Sequence, residues 1–149
     1  MKVSTKGRYA LRMMLDIALQ DREHPVALRE IAQRQGISVK YLEQIVAALA
    51  RAGYLKSIRG PQGGYILTRE PKDYTVGEIL RLTEGSLAPV ECLETDRNLC
   101  PRAEKCATLK LWEELDQAVR QIVDRRTLED LMEEQRAIGS RSEVTVQRC

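Results

Sequence analysis

A chain of 149 residues, 43% hydrophobic, accommodates one small domain or one domain with a dimerising extension, and with no Phe and one Trp its core has to be built from Leu, Ile, Val, Ala and Met. No apolar run reaches membrane-spanning length and the N-terminus MKVSTKGRYA lacks a signal peptide's apolar stretch, so a cytoplasmic protein with no membrane partner is expected. The net charge of +2 conceals an asymmetry: residues 1–75 hold 13 Lys+Arg against 7 Asp+Glu and residues 76–149 hold 11 against 15, which points a polyanionic partner at the first half.

Leu11, Met14, Leu15, Ala18 and Leu19 form the apolar stripe of a first amphipathic helix, ended by the stretch Asp21-Arg22-Glu23-His24-Pro25. A short second helix carries Leu28, Ile31 and Ala32. Gln35-Gly36-Ile37 makes a tight turn, and Ser38 is placed to N-cap a third helix whose buried stripe is Leu42, Ile45, Val46 and Leu49. Tyr54–Ile58 and Tyr65–Thr68 are rich in β-formers and flank the loop RGPQGG, a hairpin signal. Thr75-Val76-Gly77-Glu78 fits a capping box at the start of a fourth helix. Residues 85–106 show no periodicity. A long helix is predicted from there to about Arg126, with Leu109, Trp112, Leu115, Val119 and Ile122 along one stripe, and a last short helix capped by Thr127. The polar stretch from Gly139 is expected to be a mobile tail. The fold class is therefore mainly α with a small β-hairpin. Its expected divisions are a winged helix-turn-helix over residues 1–84, a cysteine-containing loop over 85–106, a dimerisation helix with the final short helix over 107–138, and the tail over 139–149.

Helix, glycine turn, helix and hairpin, in that order, describe a winged helix-turn-helix. With Leu42 facing the core, the third helix turns Lys40, Gln44, Ala47, Ala48 and Arg51 outward, with Tyr41 and Glu43 on the flanks. Such a face suits a DNA major groove. Gln44 offers a donor and an acceptor to a base edge, Lys40 and Tyr41 reach phosphates, and the alanines remove bulk. Glu43 costs energy near a polyanion unless it accepts from a cytosine amino group or rejects other sequences. At the hairpin tip Arg59 lies among Gly60, Gly63 and Gly64, with Lys56 nearby, which suits a narrow minor groove. Lys6, Arg8 and Tyr9, read as preceding the first helix, are placed for backbone contacts. Pairing of the long helix with that of a second copy would give a homodimer reading half-sites about 34 Å or a multiple apart on a double-stranded DNA operator.

In a cytoplasmic chain, cysteines are more often metal ligands or redox centres than structural disulfides. Cys92, Cys100 and Cys106 lie in the irregular loop, separated by seven and five residues. Zinc sites usually offer a closer pair, and three thiols on such a loop suit an iron–sulfur cluster better. Cys149, the final residue, is given no role. An enzyme finds no support, since there is no phosphate-binding glycine loop, no nucleophile elbow and a single histidine, His24, without a catalytic partner.

MKVSTKGRYALRMMLDIAL, the block QGISVKYLEQIVAALARAGYLKSIRGPQGGY and the three-cysteine loop together resemble the IscR-like family of iron–sulfur cluster regulators, winged helix-turn-helix repressors, over roughly residues 1–135. The resemblance implies a homodimeric transcription factor whose cluster, 2Fe–2S in such members with 4Fe–4S as the other form, controls the genes of cluster assembly. By position it puts Ser38, Glu43 and Gln44 at base edges, Arg59 in the minor groove, and Cys92, Cys100 and Cys106 on iron. Two features depart from it. The gap between the first two cysteines is longer than in the best-known members, and Leu109 stands where they carry a histidine. Arg8 stands where nitric-oxide-sensing relatives place an aspartate. The fourth ligand is then a loop carboxylate (Glu91, Glu94, Asp96 or Glu104), a side chain of the partner subunit or a small exogenous ligand. The alternative is a regulator of the same fold with no stable cluster, responding to thiol oxidation, nitric oxide or a partner protein.

Overall fold

The computed structural model describes residues 2–147, with side chains described as far as residue 141. Among the described residues, six α-helices and one two-stranded antiparallel sheet follow one another in the order α1–α2–α3–β1–β2–α4–α5–α6. Helix α1 (Thr5–Leu19) starts where the Ser4 hydroxyl accepts the Gly7 N–H at 3.1 Å, and it stops as Gln20 turns extended. Helix α2 (Leu28–Gln35) ends at Gly36, whose φ of 63° is the left-handed conformation that a side chain resists. Ser38 then caps α3 (Val39–Arg51) by accepting the Tyr41 N–H at 3.2 Å. Strands β1 (Leu55–Ile58) and β2 (Gly64–Leu67) pair from Leu55 opposite Leu67 to Ile58 opposite Gly64. Val26, ahead of α2, bridges Tyr65 with backbone hydrogen bonds of 3.0 and 2.9 Å, so the hairpin is anchored to the helical body. Helix α4 (Val76–Glu84) has the full capping box between Thr75 and Glu78. Helices α5 (Leu109–Arg125) and α6 (Leu128–Gln147) complete the chain.

The core sits where α1, α2, α3, α4 and the start of α6 meet, with Met13, Met14, Ile31, Leu42, Ile45, Leu49, Tyr74, Ile79 and Leu128 shielded from solvent. Burial of each such aliphatic side chain contributes about 1.5–3 kcal/mol, so one contiguous cluster, with Tyr74 as the aromatic exception to a core expected from Leu, Ile, Val, Ala and Met, accounts for the helical body.

Three sequence expectations need correction. The inner face of α1 is Ala10, Met13, Met14, Ile17 and Ala18, whereas Leu11, Leu15 and Leu19 are half-buried at its margins. Small Ala10 and Ala18 and flexible methionines let neighbouring helices approach, so the leucines are displaced to the flank. Lys6, Arg8 and Tyr9 do not precede α1; they lie in its first turns. The expected short last helix and mobile tail are one 20-residue helix, continuous through Gly139 to Gln147. Cys149 lies outside the described residues.

Candidate nucleic-acid interface and cysteine loop

The outer face of α3 is built by its buried stripe. With Leu42, Ile45, Val46 and Leu49 in the core, Lys40, Glu43, Gln44, Ala47 and Arg51 are exposed, and Ala48 is half-buried. Glu43 therefore stands on the open face rather than the flank. Tyr41 is half-buried because its ring meets Tyr9 edge to face, centroids 5.7 Å apart, and the Arg12 guanidinium lies 5.3 Å from the Tyr9 ring centre. Tyr9 is thus a prop for the helix as well as a neighbour of its surface. The Ser38 oxygen is occupied as the N-cap, which leaves its hydroxyl proton to donate outward. Arg8 is exposed and donates to the Thr5 hydroxyl at 3.3 Å.

Beneath that surface lies a polar group that the sequence reading missed. Asp16 is only 3% exposed, yet four hydrogen bonds reach its carboxylate. Arg34 Nε donates to both oxygens at 3.1 Å, Arg34 Nη2 to Oδ1 at 2.6 Å, and Gln35 Nε2 to Oδ2 at 2.8 Å. The pairing with Asp16 pushes the Arg34 guanidinium up from its ordinary range. Arg12 grips the same turn, donating to the Gln35 side-chain oxygen at 3.0 Å and to its carbonyl at 2.6 Å. The end of α2 and the turn into α3 are therefore clamped to α1, which fixes the pitch of the outer face.

The wing tip follows the same logic. The Gly63 N–H donates to the Gly60 carbonyl at 2.9 Å, and a Cβ on Gly63 would overlap the Ile58 carbonyl oxygen. The tip is consequently narrow, and it presents exposed Arg59; Lys56 is exposed on β1.

The cysteine loop leaves α4 at Gly85 and reaches α5 through two single 3-10 turns, Glu91–Leu93 and Ala103–Lys105. Cys92 and Cys100 are half-buried and line one open hollow of about 440 Å³ with Glu91, Glu94, Thr95, Arg97 and Leu99. Cys106 is exposed just before α5. Its thiol lies 3.4 Å from the Thr108 hydroxyl, and hydrogen bonding from that hydroxyl and from the Thr108 N–H lowers its pKa from the ordinary value. Among the described residues no three His, Cys, Asp or Glu side chains converge as a ready metal cage. The donor set nonetheless fits an iron–sulfur cluster chemically, since two thiols share a hollow and the third favours the thiolate that iron binds.

On α5 no residue is buried, and Leu111, Leu115 and Ile122 are exposed along one side. No helix among the described residues is long and apolar enough to cross a membrane.

A helix-turn-helix body with a basic glycine wing defines a DNA-binding transcription regulator of the winged-helix class. The chain belongs to the Rrf2 family, whose model, described as an iron-dependent transcriptional regulator, matches residues 3–134. Protein rrf2 of Nitratidesulfovibrio vulgaris is 46% identical over 132 residues, covering 89% of this chain and 87% of that protein. The transcriptional regulator CymR of Bacillus subtilis is 46% identical over 131 residues, covering 88% and 89%. The structure of CymR, the global cysteine regulator of that organism, aligns with a TM-score of 0.75 and 43% identity over 90% of this chain and 98% of that one. The structure of T. potens IscR aligns with a TM-score of 0.70 and 41% identity over 90% and 88%. The IscR-like resemblance thus holds at the level of the family, and CymR and rrf2 are equally similar to this chain. These relatives are transcription regulators and not enzymes.

Proposed function

We propose that the chain acts in the cytoplasm as a homodimeric regulator, mainly a repressor, that reads a DNA operator with residues 1–84. Residues 85–106 sense iron–sulfur cluster status, and residues 107–138 dimerise. The observation that carries the reading is the juxtaposition of an exposed polar face on α3 with the exposed Arg59 of a narrow wing. Gln44 and Glu43, with the outward Ser38 hydroxyl, read base edges in the major groove. Lys40, Tyr41, Lys56, Tyr9 and Arg8 take the backbone, and Arg59 enters the adjacent minor groove. The exposed apolar side of α5 supports pairing with a second copy, because Leu111, Leu115 and Ile122 have no cover within one chain.

Cys92, Cys100 and Cys106 would hold a cluster of the 2Fe–2S type, which would supply a link sensitive to cluster availability and redox state. Binding requires Cys106 to approach the hollow shared by Cys92 and Cys100, so the loop must change shape between its two states. Genes of cluster assembly are the targets that such a sensor serves. Replacing Gln44 or Arg59 by Ala is expected to weaken operator binding by about 1–3 kcal/mol each. Unchanged affinity in both would remove the placement of reading helix and wing. Anaerobically reconstituted protein is expected to absorb visible light, and Cys92→Ala to lose that absorption; colourless wild-type protein containing zinc would refute the iron assignment.

A second reading is favoured by one observation, the exposed Cys106 thiol with its lowered pKa. Here the cysteines respond directly to oxidants in a cluster-free regulator, in keeping with the similarity to CymR, the global cysteine regulator of Bacillus subtilis. Metal analysis of anaerobically purified protein separates the two readings.

A further inference from the structure

The wing is a two-stranded ribbon with four residues in each strand, an arrangement of marginal stability by itself. Besides the Val26–Tyr65 bridge and the Thr68 hydroxyl, which donates to the Gly53 carbonyl at 2.6 Å, its foot is tied to the residues leading into α4 through one buried oxygen. Tyr74 is fully buried, and its hydroxyl donates to the Tyr54 carbonyl at 2.8 Å while accepting the N–H groups of Thr68 and Arg69, each at 3.0 Å. The residue just before β1 and those just after β2 thus meet at a single atom. The ring cannot swing away, because Tyr54 packs edge-on against it at 5.9 Å and the Arg69 guanidinium lies 4.4 Å from its centre.

The main chain around Tyr74 faces a different element. The Tyr74 carbonyl accepts the Leu128 N–H at 2.9 Å, the Val76 N–H donates to the Arg126 carbonyl at 2.9 Å, and Thr75 pairs antiparallel with Thr127. Residues 126–128 form the junction between α5 and α6. One residue therefore joins the foot of the wing to the end of the long helix.

We infer that Tyr74 is a positioning residue for DNA recognition: its hydroxyl sets where the wing, and hence Arg59, stands relative to α5. The inference rests on the reading of Arg59 as a DNA contact. Tyr74→Phe keeps the ring and removes the acceptor of the Arg69 N–H and the shorter of two contacts of the Thr68 N–H, which also lies 3.4 Å from the Tyr54 carbonyl.

The test is a double-mutant cycle with Tyr74→Phe and Arg59→Ala in the full chain, titrated onto a duplex selected from random DNA by the wild-type protein. Tyr74→Phe is expected to weaken binding about tenfold when Arg59 is present and less than about twofold when it is not. A general loss of structure would instead add to the Arg59 effect, so additive losses overturn the inference while leaving the wing contact in place. No effect of Arg59→Ala alone removes the wing contact, and the positioning role with it. Amide hydrogen exchange gives a readout without DNA: the Thr68 and Arg69 amides should exchange at least about tenfold faster in Tyr74→Phe, with α2 and α3 unchanged. Equal exchange overturns the inference. A freely exchanging Arg69 amide in the wild-type protein does so without any variant.

Discussion

Asp16→Ala is the sharpest test of how the reading face is held. The carboxylate is 3% exposed and receives three contacts from Arg34 and a fourth from Gln35. Removing one partner of a buried ion pair costs about 3–5 kcal/mol, because the remaining charge is left without compensation. The Arg34 side chain is 37% exposed, so water can take up part of its charge, and the expected loss falls to about 2–3 kcal/mol. At this chain length that corresponds to a fall in melting temperature of about 5–10 °C, followed by circular dichroism at fixed protein concentration. The difference should persist at high salt, since a buried pair is poorly screened. Operator affinity should fall as well, because beside the turn into α3 only the exposed Arg12–Gln35 contact then ties α2 to α1. Melting within about 2 °C of wild type would show that the clamp contributes nothing, and the account of a fixed pitch for α3 would fail.

The wing tip gives a second prediction: Gly63→Ala must move the Ile58 carbonyl, and it should reduce operator affinity while costing about 1–3 kcal/mol of stability, measured by urea titration. Stability and affinity equal to wild type would contradict the close approach. Ile122→Glu places a charge on a residue that is 60% exposed in one chain, so monomer folding should survive while sedimentation shifts from dimer to monomer. An unaltered dimer would put the interface elsewhere. For Cys106 the lowered pKa means that thiolate persists to lower pH than in an ordinary thiol, so its alkylation should accelerate at lower pH, and Thr108→Val should shift the profile upward. The linked contribution to stability has the sign of any depressed acid: present above the unfolded-state pKa and lost as pH falls through the folded one. A rate profile unchanged by Thr108→Val would refute the cause assigned to the shift.

What was legible in the chain is what local chemistry decides. Ser38, Gly36 and the Thr75–Glu78 box act on backbone groups within a few residues, so their helix boundaries could be read directly. The outer face of α3 was legible because its buried stripe is continuous. The inner face of α1 was not, because contacts with α4 and α6 choose between two adjacent apolar stripes. The polar stretch from Gly139 reads as a tail, yet α6 runs through it to Gln147, carried into it by the helix-favouring Glu133, Glu134, Gln135, Arg136 and Ala137. Asp16 and Tyr74 carry no sequence signal: Arg34 and Gln35 lie 18 and 19 residues from Asp16, the Tyr54 carbonyl lies 20 from Tyr74, and the nearer Thr68 and Arg69 meet Tyr74 through backbone N–H groups that any residue has. Cys92, Cys100 and Cys106 all fall between α4 and α5, but which of them line one hollow is a matter of chain path that spacing does not reveal.

Two attachments of α5 differ in strength, and the sensing role proposed for the cysteine loop draws on that difference. Across the loop, Arg81 on α4 binds both oxygens of Asp124 at 2.5 and 3.0 Å, but the two side chains are 35% and 45% exposed, so the pair contributes about 0.2–1 kcal/mol. The junction that follows α5 is held by backbone bonds from residues 126 and 128 to Val76 and Tyr74, and Leu128 is fully buried in the core. On the sensing role proposed above, a rearrangement of Cys92, Cys100 and Cys106 would pull on the end of α5 at Leu109, in a helix none of whose residues is buried, while the far end stays fixed to the core. The helix would then pivot about residues 126–128. In a dimer paired through α5, such a pivot changes the separation of the two reading helices without unfolding either one. Tyr74 bonds Leu128 through its main chain and the foot of the wing through its hydroxyl, so the fixed end of α5 and the wing share one support.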